Sequence, residues 1–177
     1  MTAWIVRMHL RDEALLFALV LRRRGWLDRT LRTLTHLGDP ATTIAGAAAL
    51  LLLEPRGAGA RAAFALAASH LAVQAVKRSV SRPRPRLPRG IESLAHAPDR
   101  FSFPSGHAAA SLSVALGLAA TLPLPLAAPV LGLAGLVGVS RSYLGVHYPG
   151  DVLAGWLLAT LGYAVAPPVL ALLSGGR

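Results

Sequence analysis

The chain contains no cysteine, which excludes disulfides, thiolate metal sites and a cysteine nucleophile and leaves the redox compartment open. Acidic side chains are scarce: 8 Asp and Glu face 18 Lys and Arg, and the formal net charge of +10 comes almost wholly from arginine. Such an excess points to nucleic acid, an anionic membrane surface or an anionic substrate. Aromatic residues are only 6% of the chain and are not interleaved with the basic ones, so no nucleic-acid partner is expected. Charged residues of either sign make up 15%, gathered at the N-terminus and between residues 77 and 100. The apolar stretches elsewhere have no wet face.

What the chain has in quantity is hydrocarbon. Hydrophobic residues are 54% of 177, and mean hydropathy is +0.52. The apolar runs are too many and too long for a soluble core of this size, so an all-α integral membrane bundle is expected, with the bilayer as partner. Residues 1–38 alternate apolar and basic clusters. Leu10–Leu21 and Trp26–Leu37 carry leucines at helical spacing with arginines on other faces, the pattern of amphipathic helices lying in the headgroup layer, with Trp4 and Trp26 suited to anchoring there. Ala14–Leu21 runs straight into Arg22-Arg23-Arg24 with no small-residue cleavage site, so the N-terminus is expected to be unprocessed.

Residues 39–177 form the expected transmembrane core of a single domain covering 1–177. Ala41–Leu53, extended back toward Leu34, makes a first span, and Ala62–Val76 a second. In the second, His70 and Gln74 lie one helical turn apart and are expected to form an interhelical hydrogen-bonded pair. Lys77–Phe103 is basic and proline-rich without hydrophobic period, hence a long loop. Gly106–Leu122 and Leu126–Val139 make a hairpin around Pro123 and Pro125, and Val152–Leu173 is the last of about five spans. Gly132, Gly135 and Gly138 recur every three residues, which suits close helix packing.

Three clusters carry chemistry. In Ser140-Arg141-…-His147-Tyr148-Pro149-Gly150-Asp151, Pro149 suits the first turn of a helix, which puts Asp151 in that turn beside His147. Asp151 can then accept the Nδ1–H of His147 and leave Nε2 to attack. In Pro104-Ser105-Gly106-His107, Ser105 is a natural N-cap, and the helix it opens presents free N–H groups to an anion, with His107 in reach of a leaving oxygen. The third cluster is Lys77 with Arg84-Pro85, a point charge and a planar fork able to hold several phosphate oxygens. Arg78, Arg82, Arg86 and Arg89 read as solvated or headgroup-facing charge. His9, His36 and His96 read as exposed or interfacial, with no partner visible in the sequence.

In chain order, K-x6-RP at 77–85, PSGH at 104–107 and SR-x5-H-x3-D at 140–151 match every fixed position of the signature motifs of the type 2 phosphatidic-acid phosphatase superfamily, so the chain resembles that family over roughly residues 60–173. The resemblance implies a small bacterial-type membrane lipid phosphatase. Lys77, Arg84 and Arg141 would bind phosphoryl oxygens with the Ser105 hydroxyl and the Gly106 amide. His147 would be the nucleophile, His107 the acid and then the base, and Asp151 the group that orients His147. Three fixed cations and helix N–H groups can stabilise the transferring phosphoryl group, so no metal and no other cofactor is expected. The expected substrate is a lipid-linked phosphomonoester or pyrophosphate: phosphatidic acid, phosphatidylglycerol phosphate, polyprenyl pyrophosphate or a polyprenyl-linked phosphosugar. A catalytically silent lipid-phosphate binding protein and a vanadate-dependent haloperoxidase are the alternatives. The oligomeric state is left open.

Five spans put the N-terminal region, the 77–104 loop and the 140–150 turn on one face. That face carries Arg7, Arg11, Arg22, Arg23, Arg24, Arg29 and Arg32 ahead of the first span, against Arg56, Arg61 and Arg177 on the other. The positive-inside rule makes it cytoplasmic, in the inner membrane of the cell.

Overall fold

A computed structural model describes residues 3–97 and 99–174, with side chains from His9 onward. Trp4, Arg7 and Arg177, named above, lie outside the side chains described. Helices α1 (Ala3–Val20) and α2 (Gly25–Leu34) lead through a short 3-10 turn (Thr35–Gly38) to α3 (Pro40–Leu53). There follow α4 (Ala58–Val80), α5 (Gly106–Ala120), α6 (Leu124–Tyr143) and α7 (Pro149–Leu173). Among the described residues the one β-type pairing is an isolated bridge between Pro83 and Phe101.

The bundle is built from α3 to α7, with α4 and α5 central and both packed against α3 and α7. Its outer surface is leucine: Leu52, Leu124 and Leu172 are each at least 80% exposed. Apolar side chains on the outside of every core helix are a stable surface in lipid and not in water, and this is an integral membrane helical protein. Inside, small residues bring backbones together. A Cβ on Gly117 would strike Ala62, one on Gly138 the ring of Trp156, and one on Gly155 would lie 2.5 Å from the carbonyl oxygen of Ser105. Helices in lipid associate through such close approach because no hydrophobic force separates tail from leucine. The expected glycine stripe on α6 is not one: Gly132 and Gly135 meet nothing within 4 Å, and Gly138 alone packs. A three-residue step falls short of a full 3.6-residue turn, so the three glycines fan out around the helix.

By length and apolarity α6 and α7 each suffice to cross a bilayer, and α5 is shorter. α7 runs through Pro167 and Pro168 to Leu173. The first span does not extend straight back toward Leu34: α2 with its 3-10 turn meets α3 at a 52° bend. Asp39 and Pro40 explain the break, since the extended Asp39 backbone ahead of Pro40 starts a new helix. α4 is longer than expected and carries Lys77 in its last turn, so Lys77 belongs to a helix end and not to the loop. Arg141 likewise sits in the last turn of α6.

α1 and α2 lie at one end of the bundle. Leu16 and Val20 of α1 bury against Tyr148, and Leu31 of α2 against Tyr143 and Leu144, while Leu10, Leu15, Leu21 and Trp26 stay exposed. Arg23 Nε donates to the Tyr143 carbonyl (3.0 Å), Arg32 Nε to the Leu94 carbonyl (2.8 Å), and the Leu94 N–H to the Leu144 carbonyl (2.8 Å). The N-terminal region, the long loop and the α6–α7 turn therefore meet at one end.

Candidate active site

Each motif is placed by a local feature of the chain. α4 stops where Ser81 adopts φ 50°, and the alternating prolines of Arg82-Pro83-Arg84-Pro85 keep the following backbone extended. Phe101 and Ser102 fold back on this segment, Ser102 N–H donating to the Arg82 carbonyl at 2.8 Å and its hydroxyl to that of Pro83 at 2.9 Å. Period two in an extended chain sends Arg82 and Arg84 the same way, toward the start of α7. α6 ends through Gly145, whose φ of 85° only glycine adopts without strain, and the N–H groups of Val146 and His147 return to the Arg141 carbonyl at 3.1 and 3.2 Å. That reversal carries His147 back beside Arg141.

α7 begins at Pro149, as its sequence required, with Asp151 in the first turn. The Asp151 carboxylate is fully buried, and its Oδ2 accepts the Tyr148 N–H at 2.8 Å. His147 Nδ1 faces that same oxygen at 3.5 Å and makes no hydrogen bond to a described residue. Nε2 lies 2.9 Å from Arg84 Nη1. A guanidinium can only donate, so Nε2 is the acceptor and the proton of the neutral ring is on Nδ1, toward Asp151. The Nε2 lone pair is thus present but covered by Arg84.

Arg84 is held on its other sides by the Val146 carbonyl (2.8 Å) and Asp99 Oδ1 (3.0 Å). Lys77 Nζ lies 2.6 Å from Asp99 Oδ2. Arg141 is 2% exposed, and its Nη1 donates to the Thr35 hydroxyl at 2.7 Å. Its Nε and Nη2 are buried with no partner among the described residues. A buried guanidinium with two of its three nitrogens unsatisfied is costly unless an anion completes it.

Ser105 is the N-cap of α5, its hydroxyl accepting from Ala108 N–H at 3.4 Å, and its own N–H donates to the Asp151 carbonyl at 2.9 Å. It is fully buried and, unlike Gly106, does not reach the cavity wall. His107 does, with Nε2 2.8 Å from Asp39 Oδ1, while the other Asp39 oxygen lies 2.7 Å from His36 Nδ1. A cavity of about 940 Å³ brings together Lys77, Arg84, Gly106, His107, Arg141 and His147 and runs on between apolar residues of α3 and α4.

Four participants escaped the sequence reading. Arg82 reads in sequence as a solvated arginine, yet its Nη1 lies 2.6 Å from Asp151 Oδ1 and its Nη2 2.8 Å from Asp12 Oδ2, with the guanidinium 3.9 Å over the Tyr148 ring. Asp12 Oδ1 also accepts the Gly150 N–H at 2.7 Å, which fastens α1 to α7. Asp39 and Asp99 are the others. His9 and His36, read as unpartnered, lie beside Arg82 (3.1 Å) and Asp39 respectively. Only the His36–Asp39 spacing of three carried a local signal; the rest are contacts between distant segments.

A helical membrane bundle that gathers two imidazoles, a lysine and two arginines at the mouth of an apolar cavity has the build of a lipid phosphatase. The chain belongs to the PAP2 superfamily, whose pattern matches residues 58–171. It is 41% identical over 129 residues to the decaprenylphosphoryl-5-phosphoribose phosphatase of Mycolicibacterium smegmatis, covering 70% of this chain and 68% of that one. The crystal structure of Aquifex aeolicus LpxE superposes with a TM-score of 0.77 at 25% identity, covering 86% of this chain and 92% of the other. That of the transmembrane PAP2-type phosphatidylglycerolphosphate phosphatase from Bacillus subtilis gives 0.71 at 29% identity, covering 92% and 86%.

Proposed function

We propose that this protein hydrolyses a lipid-linked phosphate through a phosphohistidine formed on His147. The observation that carries the reading is the buried Arg141 guanidinium, unsatisfied at Nε and Nη2, in the same cavity as Lys77, Arg84 and the two imidazoles. A phosphoryl group seated there satisfies Arg141, draws Lys77 and Arg84 away from Asp99, and uncovers Nε2 of His147. The Nε2 lone pair attacks phosphorus as the bond to the leaving oxygen breaks, and His107, an imidazolium whose Nε2–H is held by Asp39, protonates that oxygen through its second N–H and is left neutral. Water then attacks the phosphohistidine, giving its proton to His107 and releasing phosphate as the P–N bond breaks. Asp151 stabilises the positive charge that develops on His147. The Gly106 N–H, at the start of α5, adds a donor to the three cations, and Ser105 acts by shaping that turn.

The cations stabilise the charge on the equatorial oxygens without a metal. Activity is expected to persist in excess chelator, and a divalent requirement would overturn that part of the reading. The substrate is a phosphomonoester or pyrophosphate on a lipid, because the cavity joins the cations directly to apolar walls. If α3–α7 are read as five crossings, the arginines of the N-terminal region support a site on the cytoplasmic face of the inner membrane. Phosphate release from a panel of lipid phosphates in detergent tests the function. His147→Ala and His107→Ala should abolish release in folded protein, and undiminished turnover by His147→Ala would end the proposal.

A further inference from the structure

His70 and Gln74 were expected to bond across a helix interface. They do not: neither makes a hydrogen bond to a described residue, and the contact across α4 and α5 is made by Ser69, whose hydroxyl lies 3.2 Å from that of Ser113. Both instead line the cavity that holds the cations, among Ala47, Leu51 and Leu66. At 1.5 Å of rise per residue, Gln74 and His70 lie about 4.5 and about 10.5 Å along α4 from Lys77, toward the bilayer interior. An amide and an imidazole on an otherwise apolar wall lack partners that hydrocarbon cannot supply.

We infer that Gln74 and His70 form a second polar subsite, which binds the segment joining the scissile phosphate to the lipid tail. The fitting substrate class is a phosphomonoester carried on a hydroxyl- or ester-bearing spacer, such as a sugar or a glycerol unit. With the phosphate on Lys77, Arg84 and Arg141, such a spacer extends down the cavity first beside Gln74, about 4.5 Å along α4, and then toward His70 one helical turn deeper. A phosphate joined directly to hydrocarbon sets only methylenes against them. This inference rests on the proposed phosphatase reading and narrows its substrate.

The test compares phosphate release from phosphatidylglycerol phosphate, which has the spacer, with release from dodecyl phosphate, which lacks it. The full-length protein in detergent is used, as wild type, His70→Leu and Gln74→Leu. The wild-type kcat/KM should favour the spacer-bearing lipid, and the ratio of the two values should fall about tenfold in each variant, the discrimination expected when a site loses the hydrogen bonds it was built to make. A wild-type ratio near one overturns the inference even if neither variant folds, and a ratio unmoved by either substitution does the same. Release from neither substrate by wild type would instead indict the phosphatase reading itself.

Discussion

Arg82 Nη1 lies 2.6 Å from Asp151 Oδ1, and the same guanidinium reaches Asp12 on the first helix at 2.8 Å. The carboxylate that faces the His147 imidazole is therefore anchored by a variable position of the first motif and, through it, by the first helix. Arg82→Met leaves a fully buried carboxylate without its ion partner. The expected cost is about 3–5 kcal/mol of stability. With Asp151 free to turn from His147, kcat should fall at least about tenfold, or ~1.4 kcal/mol of barrier. Thermal unfolding and steady-state kinetics measure the two effects, and Arg82→Lys should recover part of the rate.

Asp99 occupies Lys77 and Arg84 as a phosphate would, with Oδ2 and Oδ1 at 2.6 and 3.0 Å. On the proposed reading, an incoming phosphoryl group must displace this carboxylate. Asp99→Asn removes the competing charge, so inorganic phosphate should inhibit about tenfold more tightly, a gain of ~1.4 kcal/mol. Competitive inhibition constants check this; weaker inhibition by the variant would mean that Asp99 chiefly positions Lys77.

Acid should unfold the protein early. Burial lowers the imidazole pKa of His147 to about 4; Asp151 opposes the shift, and the charges of Arg84 and Arg141 reinforce it. An unfolded imidazole titrates near 6.5, so between about 6.5 and about 4 the unfolded chain binds the extra proton. The contribution is complete above about pH 6.5 and is lost as pH falls toward about 4. At Asp39, burial raises the carboxyl pKa, but bonds to His36 and His107 outweigh it and leave the value below that of a free carboxyl, adding acid sensitivity at still lower pH. Unfolding midpoints in detergent should descend over this window, and more shallowly in His147→Gln.

Gly155 lies where α7 crosses the start of α5, and a Cβ there would meet the Ser105 carbonyl oxygen at 2.5 Å and Ala108 Cβ at 3.2 Å. Gly155→Ala should cost about 1–3 kcal/mol as an overpacked contact. Because the displaced turn carries Gly106 and His107, activity should drop in protein that remains folded. Gly132→Ala, with nothing within 4 Å, is the matched control: it should leave activity unchanged and cost no stability, since alanine is the better helix former.

The amino-acid sequence alone determined the membrane class, the helix starts at Gly106 and Pro149, and the three clusters of reactive residue types. These are local or compositional properties: a proline's missing N–H, a serine cap and an apolar run act within a few residues of where they stand. Tertiary structure decided which charges meet. Arg82 and Asp151 are 69 residues apart, and His107 and Asp39 are 68 apart. Nothing in residue spacing separates Arg82 from Arg86, because the choice depends on how the proline-held segment after α4 docks on the first turn of α7. The same docking lets Asp99 cover Lys77 and Arg84, and Arg84 cover Nε2 of His147. An ion pair depends on distance in space, and a folded loop sets that distance independently of separation along the chain.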